Sequence, residues 1–251
     1  MDKVVSNNSS DIIVGRNAVL EALKNNRAID KILLSKSANK AMISNILSLA
    51  KKNSVVIKQV DNKKLNLMCP DIPHQGIIAI AAIKKYSTIQ DMLNLAEKRN
   101  QPPFLIIADS LEDPHNLGAI IRTAECAGAH GIIISKRNCV GLTATVGKAS
   151  AGAIEYMPIA KVTNIVNTIK ELKQLGIWVY GADMNGESLY NTKFEGPIAL
   201  VIGSEGFGIS RLVKENCDVM LSLPMKGKIN SLNASVAAGI LMFEISRQRI
   251  I

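Results

Sequence analysis

The sequence predicts an α/β protein in which a small domain precedes a larger domain built on a parallel sheet. Apolar segments of strand length alternate with amphipathic helical segments along most of the 251 residues. The strands of the C-terminal part are apolar throughout, as in sheets that helices cover on both faces. A charged segment over residues 84–103, which contains Pro102 and Pro103, separates the two parts and is predicted to be a linker.

The small domain is predicted over residues 11–83, after a polar and disordered segment at 1–10. Apolar residues at helical spacing predict its two helices, at 16–24 and 41–51. Short apolar runs predict three strands, at 31–35, 55–60 and 76–83. The last run, GIIAIAAI, is apolar over its whole length, which is typical of a buried strand.

The larger domain is predicted over residues 104–251. Its strands are expected at 104–109, 131–135, 177–183, 198–204 and 219–224. Helices are expected at 117–127, 144–151 and 165–175, with a short helix from Ile209 and a terminal helix from Ser231. One further helix, at 89–98, is expected within the linker. This alternation predicts a parallel sheet.

The charge of the chain indicates a nucleic-acid partner. Thirty Lys and Arg residues stand against 21 Asp and Glu, a net charge of +9. Residues 1–83 hold 12 basic and 6 acidic residues, whereas residues 84–251 hold 18 and 15, so the excess is concentrated in the small domain. Ordinary solvated lysines that keep a protein soluble are the alternative interpretation.

Other classes of protein are disfavoured by composition. No apolar run is long enough to span a membrane, and residues 1–10 lack the apolar core of a signal peptide, so we expect a cytoplasmic protein. The four cysteines and three histidines show no ligand spacing. We therefore expect buried reduced thiols and neither a metal site nor disulfides.

Three segments carry unusual residues, and each follows a predicted strand, where ligands bind in open α/β folds. DPHNLGAIIRTAE (113–125) contains Asn116, a candidate helix cap, and Arg122. GSEGFG (203–208) contains Glu205. Its G-x-x-G-x-G spacing differs from a dinucleotide-binding turn, and it lacks the lysine of a nucleoside-triphosphate loop.

The third segment, LPMKGKINSLNAS (223–235), enters the terminal helix through Ser231 and Asn233. Capping explains one polar residue at a helix start, but it does not explain several. The glycine-rich segment and this polar helix start could form two walls of one pocket. Taken singly, each segment can equally be a turn, a cap or a solvated loop.

In this order and with these residues, the three segments resemble motifs 1, 2 and 3 of the SpoU (TrmH) family. These are S-adenosylmethionine-dependent RNA 2′-O-ribose methyltransferases of the SPOUT superfamily, and the similarity covers residues 104–249. The small domain resembles the L30e-like RNA-binding domain that precedes this module in 23S rRNA guanosine methyltransferases. The resemblance implies a C-terminal trefoil knot, a homodimer and S-adenosylmethionine as the cofactor.

The resemblance also implies which residues form the site. Those implied to bind the cofactor are Gly203, Leu223 and Leu232, with Gly181, Ala182 and Ile202 as neighbours. Those implied at the reaction centre are Asn116, Arg122, Glu205, Ser231 and Asn233. The family assigns the key role to the arginine, sometimes as a general base. Because a guanidinium normally keeps its proton, we favour a clamp on phosphate and on developing oxyanion charge.

The basic small domain precedes the larger domain, as in the 23S rRNA guanosine methyltransferases that the sequence resembles. This layout favours a guanosine of 23S rRNA as the substrate. A tRNA guanosine, or the 23S rRNA adenosine of resistance methyltransferases, remains an alternative, as does an RNA-binding protein without catalysis. A Rossmann-type methyltransferase is disfavoured by the missing glycine fingerprint. Small residues of the terminal helix (Ala234, Ala237, Ala238 and Gly239) would permit close packing between two subunits, or within one.

Overall fold

A computed structural model describes residues 12–70 and 72–249, without the side chain of Lys40. The disordered segment predicted at 1–10 lies outside the described residues. The chain divides into two compact units. The first unit comprises the chain up to Lys85 together with 141–144, and the second comprises 86–140 and the chain from Thr145 onward. No described helix is long and apolar enough to cross a membrane.

The first unit is a four-stranded sheet with three helices. Its strands are β1 (Ile12–Val14), β2 (Ile29–Ser35), β3 (Val56–Val60) and β4 (Ile77–Ala81), and its helices are α1 (Arg16–Lys24), α2 (Lys40–Lys52) and α3 (Asn62–Met68). The strand order is β1-β4-β2-β3, and β4 runs antiparallel to both of its neighbours. The sequence did not predict β1 and α3, because β1 has three residues and α3 buries only Leu65.

The second unit contains a six-stranded sheet in which every pair of neighbours is parallel. Its strands are β5 (Phe104–Ala108), β6 (Gly131–Ser135), β7 (Ile159–Val162), β8 (Trp178–Ser188), β9 (Ile198–Ile202) and β10 (Val219–Ser222). The strand order is β10-β8-β9-β5-β6-β7. The predicted α/β class with a parallel sheet is therefore confirmed, whereas the trefoil knot stays a prediction.

The helices associated with this sheet are α4 to α9. They span α4 (Ile89–Lys98), α5 (Pro114–Cys126), α6 (Ala144–Ala149), α7 (Ile165–Gln174), α8 (Arg211–Lys214) and α9 (Ala234–Arg249). Strands β5 and β9 lie in the middle of the sheet and are buried at every position, which explains their unbroken apolar sequences.

Most of the predicted linker is part of the second unit. Helix α4 begins with a capping box formed by Thr88 and Asp91. Its Met92 is fully buried in the same apolar cluster as Leu105 and Val201. The linker prediction failed here because charged residues cover the exposed face of a helix whose other face is in the core.

The prediction of buried thiols was only partly right. All four cysteines are free, and Cys69 is buried, but Cys126 is exposed on α5. Burial raises the pKa of the Cys69 thiol, and it also raises the pKa of Cys217, to about 12. Neither thiol is therefore activated as a nucleophile.

His130 is a buried polar residue that binds the start of β5. Its Nδ1 accepts a hydrogen bond from the backbone N–H of Phe104 (3.0 Å), and its Nε2 lies 3.1 Å from the Gln101 side-chain oxygen. A neutral imidazole can make both bonds if the proton is on Nε2. Burial, with the positive charges of Arg99 and Arg249, lowers the pKa of His130 from 6.5 to about 4.

Stability is expected to fall as the pH drops from 6.5 to 4. In this window the unfolded chain binds a proton at His130 that the folded chain excludes, so acid favours unfolding by up to about 3 kcal/mol. Urea unfolding at a series of pH values measures this loss. The amide of a His130→Gln variant can replace both bonds but does not titrate. Its loss of unfolding free energy between pH 6.5 and 4 should therefore be smaller than that of the wild type by up to about 3 kcal/mol. An unchanged slope would contradict the assignment.

Candidate active site

A glycine loop, residues 203–208, follows the buried strand β9. The loop is closed by two backbone hydrogen bonds between Ser204 and Gly208, of 3.0 and 2.9 Å. Gly206 and Gly208 have φ angles of +83° and +66°, which favour glycine. Gly203 packs so closely on the returning backbone that a Cβ atom there would lie 2.1 Å from the carbonyl carbon of Gly208. The segment is therefore a compact turn that requires its glycines.

Asp109 links the end of β5 to the segment that directly follows the glycine loop. It follows β5 and is 5% exposed. Its Oδ2 accepts a hydrogen bond from the backbone N–H of Ser210 (2.7 Å), and its Oδ1 accepts one from the Ser110 hydroxyl (3.2 Å). From the sequence, Asp109 was predicted only as the end of a strand. A single carboxylate that ends an entirely apolar strand was the available signal.

Asn116 lies in the first turn of α5 and is 6% exposed. The prediction that it caps this helix was wrong, because α5 begins at Pro114 and Asp113 is the cap, accepting a hydrogen bond from the backbone N–H of His115 (2.9 Å). Proline fits the first helical position, where no backbone N–H is needed. The Asn116 amide is therefore available for contacts outside the helix.

One polar cluster joins the three sequence segments. The Asn233 amide donates to the Asn116 oxygen (3.0 Å), and it also contacts the Glu205 carboxylate. The Asn233 oxygen accepts hydrogen bonds from the backbone N–H groups of Ser235 (2.9 Å) and Val236 (3.3 Å), so it caps α9. Asn116, Glu205 and Asn233, far apart in sequence, form this polar cluster at the carboxyl end of the sheet.

Ser231 and Arg122 lie outside the polar cluster. Helix α9 begins at Ala234, so the start predicted at Ser231 was three residues too early, and Ser231 is exposed in the preceding segment. Arg122 is exposed on α5 and has no hydrogen bond or ion pair with any described residue. Both side chains are thus available to a ligand.

The residues implied to bind the cofactor lie on three adjacent strands and the segments that follow them. Ile202 ends β9 and is 2% exposed, and Leu223 directly follows β10. Gly181 pairs with β9 and β10, and Ala182 follows it in β8. Leu232 is 42% exposed just before α9. The space above Gly181 is occupied by the side chains of Met220 and Cys217, so that glycine serves packing within the chain.

No group of three potential metal ligands occurs among the residues that the structure describes. What the polar cluster offers is amide donors and acceptors beside one carboxylate. Such groups can orient a hydroxyl or an amine and can stabilise positive charge. They are poorly suited to phosphate, because Glu205 would repel it.

Comparison with known proteins places the chain among RNA-modifying enzymes. Residues 103–243 match the family described as SpoU rRNA Methylase, and residues 12–87 match the domain described as RNA 2′-O ribose methyltransferase substrate binding. A Bacillus subtilis (strain 168) protein named YacO and assigned to the TrmH family of tRNA/rRNA methyltransferases is 50% identical over 240 residues, covering 95% of this chain and 96% of that protein.

Solved structures share the fold. The SpoU methyltransferase AviRb from Streptomyces viridochromogenes, in complex with AdoMet, is 23% identical with a TM-score of 0.59, covering 95% of this chain and 90% of that chain. An AdoMet-bound rRNA methyltransferase from Sinorhizobium meliloti is 22% identical with a TM-score of 0.58, covering 96% and 88%.

The match to the methylase family over residues 103–243, after a matched substrate-binding domain, identifies an RNA methyltransferase. The chain belongs to the SpoU (TrmH) family, as the match over the second unit and the identity to the Bacillus protein show. The predicted family is therefore confirmed, while the roles assigned to the residues of the three segments stay predictions.

Proposed function

We propose that this protein transfers a methyl group from S-adenosylmethionine to a ribose 2′-hydroxyl of RNA, at a guanosine of 23S rRNA. The observation that carries the proposal is the polar cluster, in which Asn233 of the third segment contacts both Asn116 of the first and Glu205 of the second. A binding protein without catalysis has no need for this arrangement.

The cofactor site is proposed at the ends of β8, β9 and β10. The cofactor supplies the methyl group as a sulfonium, and Glu205 gives the site a negative charge that suits a cation. Gly203 brings backbone close to the site, and Leu223 and Leu232 offer partly exposed apolar side chains suited to an adenine ring. The two solved relatives named with AdoMet support this choice of cofactor.

Methyl transfer from a bound sulfonium would break the methyl–sulfur bond, leave a neutral thioether and release the hydroxyl proton, which passes to solvent water. The chemistry therefore requires an oriented hydroxyl and stabilisation of its developing negative charge. We assign orientation of the ribose to the amides of Asn116 and Asn233 and to the hydroxyl of Ser231. Glu205 holds Asn233 in place rather than reacting. Arg122 lies outside the polar cluster, and its assignment rests on the family resemblance. We assign it an electrostatic clamp on phosphate and on the developing oxyanion, since a guanidinium does not give up its proton near neutral pH.

The RNA class is proposed from the first unit. The exposed basic side chains of this unit can bind RNA phosphates. The unit matches a substrate-binding domain and precedes the methyltransferase domain, as in the rRNA guanosine enzymes that the sequence resembles. A tRNA guanosine is an alternative, because the Bacillus relative is named for tRNA and rRNA together. An rRNA adenosine is another, because the resistance methyltransferases that the sequence resembles share the two-domain plan.

Calorimetric titration with S-adenosylmethionine, with and without RNA, tests the activity. No binding in either case would refute it. Mapping of 2′-O-methyl groups in a strain without the gene then identifies the target. Loss of a tRNA methyl group with rRNA unchanged would refute the rRNA assignment.

We also propose a homodimer, but not through the small residues of α9. Ala238 is fully buried within the chain, and a Cβ at Gly239 would touch Thr123 of α5, so these residues pack inside one subunit. The opposite face of α9 exposes Val236, Ile240 and Phe243 by 49%, 38% and 51%. Spaced at helical intervals, they form an apolar stripe of the kind that protein interfaces cover.

Light scattering at micromolar concentration should therefore give about twice the 27.1 kDa of one chain. Phe243→Asp, which places a charge in the apolar stripe, should shift the mass toward that of the monomer. Met184→Asp, at a side chain that is 64% exposed outside the stripe, is the matched control and should leave the dimer intact. A wild-type mass of 27.1 kDa would reject the dimer.

A further inference from the structure

Phe207 is the most exposed large apolar side chain of the described residues, at 95%. It stands in the glycine loop between Gly206 and Gly208, and the Ser204–Gly208 hydrogen bonds close the turn beneath it. Exposing a whole aromatic ring to water costs free energy unless a partner covers it. The two backbone hydrogen bonds constrain the main chain that carries the ring, so less backbone entropy is lost when a partner binds.

The ring borders a recess of about 460 Å³ in the second unit. Asn116 and Glu205 of the polar cluster line this recess together with Phe207, Ser110 and Asn138. Ser110 and Asn138 have φ angles of +59° and +55°, a region that is strained for serine, whereas asparagine tolerates it better. Such strain concentrates at binding sites, where the surrounding structure offsets it.

The lining excludes phosphate as the occupant. Every lining residue is described, and none is a lysine or arginine, whereas Glu112, Asp113 and Glu205 are acidic. Glu112 is exposed and has no hydrogen bond or ion pair with any described residue. Its carboxylate can accept hydrogen bonds from the N–H groups of a nucleobase, and an aromatic face provides a stacking surface for that base.

We propose that Phe207 is a positioning residue that stacks on the base of the nucleotide being methylated, so that its ribose lies at the polar cluster. This inference rests on the proposed function and adds to it a residue that recognises the base. Unstacked bases of single-stranded RNA are commonly bound in this way, between an aromatic ring and polar groups at the base edge.

The test uses full-length protein and total RNA from a Bacillus subtilis strain that lacks its 50%-identical relative. Incorporation of radioactive methyl groups from S-adenosylmethionine gives kcat/KM for RNA. Phe207→Ala and Phe207→Leu should each lower kcat/KM by about 5-fold to 150-fold, the effect of removing one base–aromatic stack. Phe207→Tyr should keep activity within about threefold of the wild type, because the stacking face remains.

Tyr156→Ala, at another aromatic residue that is 78% exposed but lies outside the recess, should behave as the wild type. Cofactor affinity should be unchanged in all of these variants. Phe207→Ala or Phe207→Leu with wild-type kcat/KM would overturn the stacking role while the proposed function stands. A wild-type protein that methylates no RNA would overturn the proposed function, and this inference with it.

Discussion

Replacing Arg122 with alanine is expected to lower kcat for RNA methylation by about a hundredfold to a thousandfold, the usual effect of removing one donor that stabilises an oxyanion. The side chain is exposed on α5 and makes no hydrogen bond or ion pair with the described residues. Its loss should therefore leave the folded structure and the affinity for S-adenosylmethionine unchanged. Methyl incorporation under saturating cofactor and RNA measures kcat directly.

Arg122→Lys is the matched control for the role of Arg122. It keeps the positive charge but loses the planar fork of donors, so partial activity is expected from a clamp. The pH dependence of kcat in Arg122→Lys separates the two roles. If the lysine were a general base, kcat would rise steeply toward about pH 10, where a lysine loses its proton, whereas a clamp gives a kcat that is flat between about pH 7 and 9. Full activity of Arg122→Ala would refute both roles.

The sequence predicted elements well where a short apolar run or a helical apolar spacing was regular. Strand β6 and helices α1 and α4 were predicted with the ends they have in the structure. Strand β7, with four residues, was missed because its two buried residues are too few to establish a period. Helix α4 was found but assigned to a linker, since no local pattern shows that Met92 enters the core of the second unit.

The residues of the polar cluster were predicted, but their contacts were not. Asn116, Glu205 and Asn233 were selected from three segments, and the structure brings their side chains together. Which of them caps a helix depended on where each helix begins. Helix α5 starts at Pro114 and is capped by Asp113, while α9 starts at Ala234 and is capped by Asn233. Asp109 was missed because its partner, Ser210, is distant in the sequence.

Gly203→Ala is expected to weaken S-adenosylmethionine binding by about 30-fold to 150-fold, because accommodating the added methyl group costs about 2–3 kcal/mol of distortion at the proposed cofactor site. The new Cβ would lie 2.1 Å from the carbonyl carbon of Gly208, 2.3 Å from its oxygen and 2.3 Å from the Ile209 nitrogen. These are backbone atoms, so no side chain can rotate away. The glycine loop must shift instead, and Glu205 and the Asp109–Ser210 bond shift with it.

Gly206→Ala is the matched control within the same loop. Gly206 has a φ of +83°, but a Cβ there would have no atom within 4 Å, so the substitution adds backbone strain of about 1–2 kcal/mol without a steric clash. Calorimetric titration should show nearly wild-type cofactor affinity for Gly206→Ala and the large loss for Gly203→Ala, while urea unfolding reports lower stability for both. Equal cofactor affinity in the two variants would mean that close packing of Gly203 on Gly208 does not shape the binding site. In that case the proposed contact of Gly203 with the cofactor would have to be abandoned.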